Sequence, residues 1–161
     1  MQDIAIYPGS FDPITMGHID VLERSLKIFK KVVVAIGESS EKDYLFTTDE
    51  RVKMVKGVTK GMNVSVEKFS GLLVDFAKSK KASVIIRGLR AVSDFDYEFQ
   101  AALMNRKLNP EIETIFIMTR GKYCYLSSSV VKEVASRGGN MQHLVPEAVK
   151  KMLIGKFGKI K

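Results

Sequence analysis

The chain has 161 residues, 45% of them hydrophobic and 27% charged, which suits one ordinary domain with a core of its own. No apolar run is long enough to span a bilayer, and the opening MQDIAIYPGS lacks the basic and apolar regions of a secretion signal, so a cytoplasmic protein is expected. Of the net charge of +8, five positive charges sit in KKMLIGKFGKIK at 150–161, which argues for a solvated amphipathic helix as a basic tail over about 147–161 and against a nucleic-acid groove.

The first apolar run, DIAIY at 3–7, predicts a strand. It leads into YPGSFDPITMGHID, a loop with two prolines, two glycines and His18. Ile19, Leu22, Leu26 and Phe29 then recur at helical spacing, and VVVAI at 32–36 predicts a second strand. In TTDE a cap followed by acids predicts a helix starting near Thr48. NVSVEKF at 63–69, SVIIR at 83–87 and IETIFIM at 112–118 predict three further strands. A helix over about Leu72–Lys80 separates the first two of these, and Phe95, Phe99, Ala102 and Leu103 carry a helical period before the third. Val130, Val131 and Val134 mark another helix, and Pro146 suits the first turn of a last one. Several strands are apolar at consecutive positions, as strands covered on both faces are. The alternation predicts one doubly wound, Rossmann-like α/β domain over residues 1–161, with a five-stranded parallel sheet and helices on both faces.

Ligands of such sheets lie beyond the carboxyl ends of the strands. The loops there read PGSFDPITMGH, GESSEKD, RGLRAVSD and TRGKYCYLSSS. Neither a G-x-G-x-x-G after the first strand nor a P-loop is present, which disfavours a dinucleotide dehydrogenase or a P-loop enzyme. The four loops nonetheless carry Ser10, His18, Lys42, Arg87, Arg90 and Ser127–Ser129, all able to donate to phosphate. Gly17 and His18 fall at a helix N-terminus, where free amides favour anions. Each residue also has a plainer reading. Lys42 can be a solvated loop lysine, Arg87 and Arg90 can pair with Asp94 or Asp96, Ser127 can be an N-cap, and Glu98 can face solvent. Cys124, the single cysteine, excludes an internal disulfide and a thiolate metal cluster, and reads as filler.

Thr15–His18, TMGH, preceded by PGSFDP, resembles the (H/T)xGH signature of the nucleotidyltransferase superfamily, and LSSSVVKEV at 126–134 resembles its second signature. With IRGLRAVSDFDYE at 86–98, the resemblance narrows to the bacterial phosphopantetheine adenylyltransferases. It implies transfer of adenylyl from ATP to 4′-phosphopantetheine, giving dephospho-coenzyme A and pyrophosphate. Such a step needs alignment and charge neutralisation, not a covalent nucleophile. By the same resemblance, His18, Ser10, Lys42 and Arg90 serve the reacting phosphates. Ser10, Phe11, His18, Gly88, Leu89, Arg90, Glu98 and the loop Tyr123, Cys124, Tyr125, Leu126, Ser127, Ser128, Ser129 hold ATP, with Ser128 and Ser129 as hydroxyl donors. Ser10, Lys42, Leu73 and Arg87 hold the acceptor. Mg²⁺ is implied to arrive with ATP and not on protein ligands, coenzyme A is a candidate inhibitor, and the assembly is implied to be a homohexamer with neither nucleic acid nor membrane as partner. Nicotinamide-mononucleotide adenylyltransferases and glycerol-phosphate cytidylyltransferases share the histidine signature, and IRGLRAVSDFDYE speaks against both.

Overall fold

The computed structural model describes residues 3–38 and 43–158. Five strands, β1 (Ile4–Gly9), β2 (Lys31–Gly37), β3 (Val64–Phe69), β4 (Val84–Leu89) and β5 (Glu113–Met118), form one sheet in the order β3-β2-β1-β4-β5. Every pairing is parallel, with Ile6 opposite both Val33 and Ile85 at the centre. Among the described residues the helices are α1 (Met16–Ser25), α2 (Thr48–Val58), α3 (Leu73–Ser79), α4 (Val92–Leu108), α5 (Ser128–Ser136) and α6 (Glu147–Phe157), with a 3-10 turn at Gly121–Tyr123.

The consecutive apolar residues of β1 and β2 feed two cores, because successive side chains of a strand point to opposite faces. Ala5, Tyr7, Val32, Val34 and Ile36 join Leu22 of α1, Val55 of α2, Val131 of α5 and Val149 and Leu153 of α6 on one side. Ile6, Val33, Ala35 and Ile85 meet Val74 and Ala77 of α3 on the other. This is the doubly wound parallel sheet that the strand–helix alternation predicts.

Three elements differ from expectation in instructive ways. The first helix ends at Ser25 instead of running to Phe29; the Ser25 hydroxyl donates to the Val21 carbonyl, and a turn then drops Phe29 into the core. The basic tail is not merely solvated, since Val149 and Leu153 are fully buried and Lys156 pairs with Glu50. Pro146 stands as the N-cap of α6, one position before its first turn. The α4 stripe is the largest surprise: Phe95, Phe99 and Leu103 keep 40%, 44% and 52% of their surface exposed. No described side chain of α4 is buried, although the helix lies along β4 and β5.

Candidate active site

The order of the sheet reverses between β1 and β4, and a cleft of about 670 Å³ opens beyond their carboxyl ends. Its walls come from the β1–α1 loop, the ends of β2 and β3, the first residue of α3, the β4–α4 turn with the first turns of α4, Thr119 after β5 and the entry to α5.

The β1–α1 loop is built tightly. Phe11 has a positive φ of 48°, a region that non-glycine residues seldom occupy. Its buried ring stands edge-on to Tyr7 at 5.4 Å and to His18 at 5.1 Å. A Cβ at position 9 would come within 2.9 Å of that ring, so Gly9 is required by packing. Gly17 is different: a Cβ there would meet nothing closer than 3.5 Å, and its φ is ordinary. Neither turn nor packing demands that glycine, and its position in the cleft wall leaves room for a ligand.

His18 is the third residue of α1 and completes a capping box, taking the place usually held by Glu or Gln. The Thr15 amide donates to its Nδ1 at 3.0 Å. A ring nitrogen that accepts an N–H carries no proton, so the neutral ring bears its hydrogen on Nε2. Burial, reinforced by the Arg90 guanidinium, pulls the His18 pKa down to about 4. At neutral pH the residue is therefore an uncharged, one-directional donor.

Two arginines from β4 and its following turn enter the cleft already paired. Arg87 donates from Nε and Nη2 to Glu98 at 2.5 and 2.7 Å, and Arg90 donates from Nε and Nη2 to Asp94 at 3.0 Å each. Glu98 is thus neither solvated nor free: it orients Arg87. Partial burial works to raise the Asp94 pKa, but hydrogen bonds from Arg90 and its ion pairing outweigh it and hold the carboxyl below its usual range. At the entry to α5, the Ser127 hydroxyl accepts from the Val130 amide at 3.1 Å, the cap that the SSS run suggests. Ser128 spends its hydroxyl hydrogen on the Pro13 carbonyl at 2.8 Å. The two serines expected as hydroxyl donors are thus differently disposed, since Ser129 is exposed and outside the cleft lining. What the α5 terminus offers an anion is chiefly its first backbone amides.

Of the residues singled out from sequence, Ser10, Phe11, His18, Leu73, Arg87, Gly88, Arg90, Glu98, Leu126, Ser127 and Ser128 line the cleft. Leu89 is buried as the last residue of β4, and Tyr123 packs beside Gly17 without lining it. Cys124 and Tyr125 are exposed on the loop that follows β5. Lys42 lies outside the described residues.

The family described as cytidylyltransferase-like matches residues 6–134 of the chain. A phosphopantetheine adenylyltransferase of Geotalea daltonii is 57% identical over 157 residues, covering 97% of this chain and 98% of its own. One from Caldanaerobacter subterraneus subsp. tengcongensis is 55% identical over the same shares. The chain belongs to the phosphopantetheine adenylyltransferases. It is thereby a nucleotidyltransferase, and the fold agrees. A Plasmodium falciparum nicotinic acid mononucleotide adenylyltransferase superimposes with a TM-score of 0.71 at 16% identity, over 98% of this chain and 96% of that one.

For a phosphopantetheine adenylyltransferase the wall has further members that motif reading passed over. Tyr7, Tyr44, Tyr97 and Thr119 line the cleft, and Asp12 ties its walls together. The Asp12 carboxylate, buried in the β1–α1 loop, accepts from the amides of Leu45 and Phe46 at 3.0 and 2.9 Å and from Lys132 of α5 at 2.9 Å. An aspartate in a loop rich in Pro and Gly reads as turn chemistry. Only the fold brings its three partners, separated by more than thirty positions, to one carboxylate.

Proposed function

We propose that this protein carries the adenylyl group of ATP to 4′-phosphopantetheine by direct in-line displacement. An oxygen of the acceptor phosphate forms a bond to the α-phosphorus, the bond from that phosphorus to the β-phosphate bridge breaks, and pyrophosphate leaves. The acceptor oxygen is already anionic, so neither a covalent intermediate nor a general base is needed. The observation that carries this mechanism is the hydrogen bond from the Thr15 amide to His18 Nδ1, which fixes the tautomer of the neutral ring. With Nδ1 taken by the Thr15 amide, the ring offers a donor to developing phosphate charge and has no vacant nitrogen with which to abstract a proton. The guanidinium groups of Arg87 and Arg90, held by carboxylates, supply fixed positive charge in the same cleft. In this reading Arg87 and Leu73 serve the acceptor, while the α5 amides and Arg90 serve the nucleotide.

ATP enters as its Mg²⁺ complex, and among the described residues no group of three or more His, Cys, Asp or Glu is placed to hold an ion. The test is pyrophosphate release from ATP and Mg²⁺ with each acceptor in turn. Release is expected with 4′-phosphopantetheine, and release with nicotinamide mononucleotide alone overturns the reading. His18→Ala is expected to lower kcat by on the order of 10²–10³-fold, as the loss of one aligned donor does elsewhere. Coenzyme A, which shares the pantetheine arm, is expected to raise the apparent KM for the acceptor.

The same reading includes a homohexamer acting in the cytoplasm. What supports contact between copies is α4, where Val92 is 86% and Tyr97 72% exposed and Leu103, Met104 and Leu108 are half-exposed. An apolar surface of that extent is unusual on a monomer. Light scattering is expected to give six times the chain mass, falling for Leu103→Glu; a monomeric wild type rejects the assembly.

A further inference from the structure

One layer behind the cleft wall sits a guanidinium that does not reach water. Arg51, in the first turn of α2, is 1% exposed and heads the fully buried side chains by volume. Burying an ionised group is costly unless a counter-charge or good hydrogen bonds meet it. Its partners among the described residues are all neutral. Nη1 donates to the carbonyls of Ser10 at 2.9 Å and Gly37 at 3.2 Å, Nη2 donates to the Thr48 hydroxyl at 2.9 Å, and the Tyr44 ring lies 4.1 Å from Cζ. Nε has no acceptor among the described residues. Ser10, Gly37 and Tyr44 all line the cleft, so Arg51 braces that wall from behind.

What it braces is the left-handed turn at Phe11. Such a backbone persists only where its surroundings over-determine it. On one side Arg51 holds the Ser10 carbonyl; on the other Asp12 holds the amides of Leu45 and Phe46. The ring fixed between them sets its edge against the His18 imidazole at 5.1 Å. A neutral donor could meet the same carbonyls. A guanidinium also leaves positive charge behind a cleft that takes two phosphate-bearing substrates, where screening is weak.

We propose that Arg51 is a positioning residue for adenylyl transfer, aligning His18 through the Ser10–Phe11 turn without touching either substrate. The inference rests on the activity proposed above, and wild-type turnover with ATP and 4′-phosphopantetheine tests that activity separately.

The experiment is a kinetic cycle on purified, folded variants. Arg51→Lys keeps the charge and loses the planar fork. It is expected to lower kcat at least about tenfold, the equivalent of one lost hydrogen bond in the aligned state, with little change in either KM. In the His18→Ala background the same substitution is expected to change kcat by less than about twofold, because the group it aligns is gone. A loss of folded protein would instead lower both backgrounds by the same factor. Equal effects in the two backgrounds overturn the proposal, as does an Arg51→Lys enzyme within about twofold of wild type. Should Arg51→Lys fail to fold, Phe11→Leu decides: it leaves the guanidinium contacts in place and removes the ring edge from the imidazole. A kcat reduced at least about tenfold, absent in the His18→Ala background, supports the relay, and any smaller or background-independent effect rejects it.

Discussion

At the scale of single residues, the cleft works by removing choices. His18 is given one accepting nitrogen, one tautomer and one charge state by its position at the start of α1. That charge state has a consequence for stability. The native pKa is about 4 against an ordinary 6.5, so as pH falls the unfolded chain takes up this proton before the native protein does. The contribution of the neutral ring is complete above pH 6.5 and is lost as pH falls toward 4, amounting to about 3 kcal/mol at most for a shift of that size. Urea denaturation at pH 7 and pH 4.5 is expected to show a smaller acid loss for His18→Gln than for wild type. Equal losses would remove the claim that the imidazole is neutral when folded. TMGH pointed to this residue by its resemblance to the (H/T)xGH signature, and the place of Gly17 and His18 at a helix start added a local reason. That Glu98 clasps Arg87, and that Ser128 gives its hydrogen to Pro13, are distant pairings that no local pattern encodes.

At the scale of elements, the walls of the cleft belong to different segments and must be tied together. Asp12 does much of this, joining the β1–α1 loop to the approach to α2 and to α5. Its carboxylate is 3% exposed and the Lys132 side chain 29%, so the pair is only partly screened. Lys132→Met is expected to cost about 1–3 kcal/mol, and Asp12→Asn with Lys132→Met less than the sum of the two, measured by denaturant unfolding. Additive losses would show that the ion pair does not couple α5 to the loop. The capping box of α2, Thr47 with Glu50, was readable as TTDE, because a cap is satisfied by atoms three residues away. Thr47→Ala is expected to destabilise the fold by about 0.5–2 kcal/mol. Helix α1 was readable only in part: its apolar period continues to Phe29, but periodicity reports which residues face a core, and a turn can deliver Phe29 there as well as a helix.

For the molecule as a whole, α6 changes the meaning of the basic tail. Its lysines leave the net charge high, yet Val149 and Leu153 sit in the same core as β1 and β2. Leu153→Ala is expected to cost about 2–5 kcal/mol in unfolding experiments, as a large-to-small change in a core does; a loss below 1 kcal/mol would make α6 an appendage. The sequence alone determined the five strands, their parallel arrangement and the strand ends at which to look, because periods of two and 3.6, turn residues and caps act over a few positions; the motif residues were found there by their resemblance to a family's signatures. The tertiary structure decided which donors are already engaged, which charges are paired, that Arg51 is buried behind the wall and that α4 keeps its apolar stripe exposed. Those properties depend on residues far apart in the chain meeting at contact distance, and such meetings exist only once the sheet order has been set.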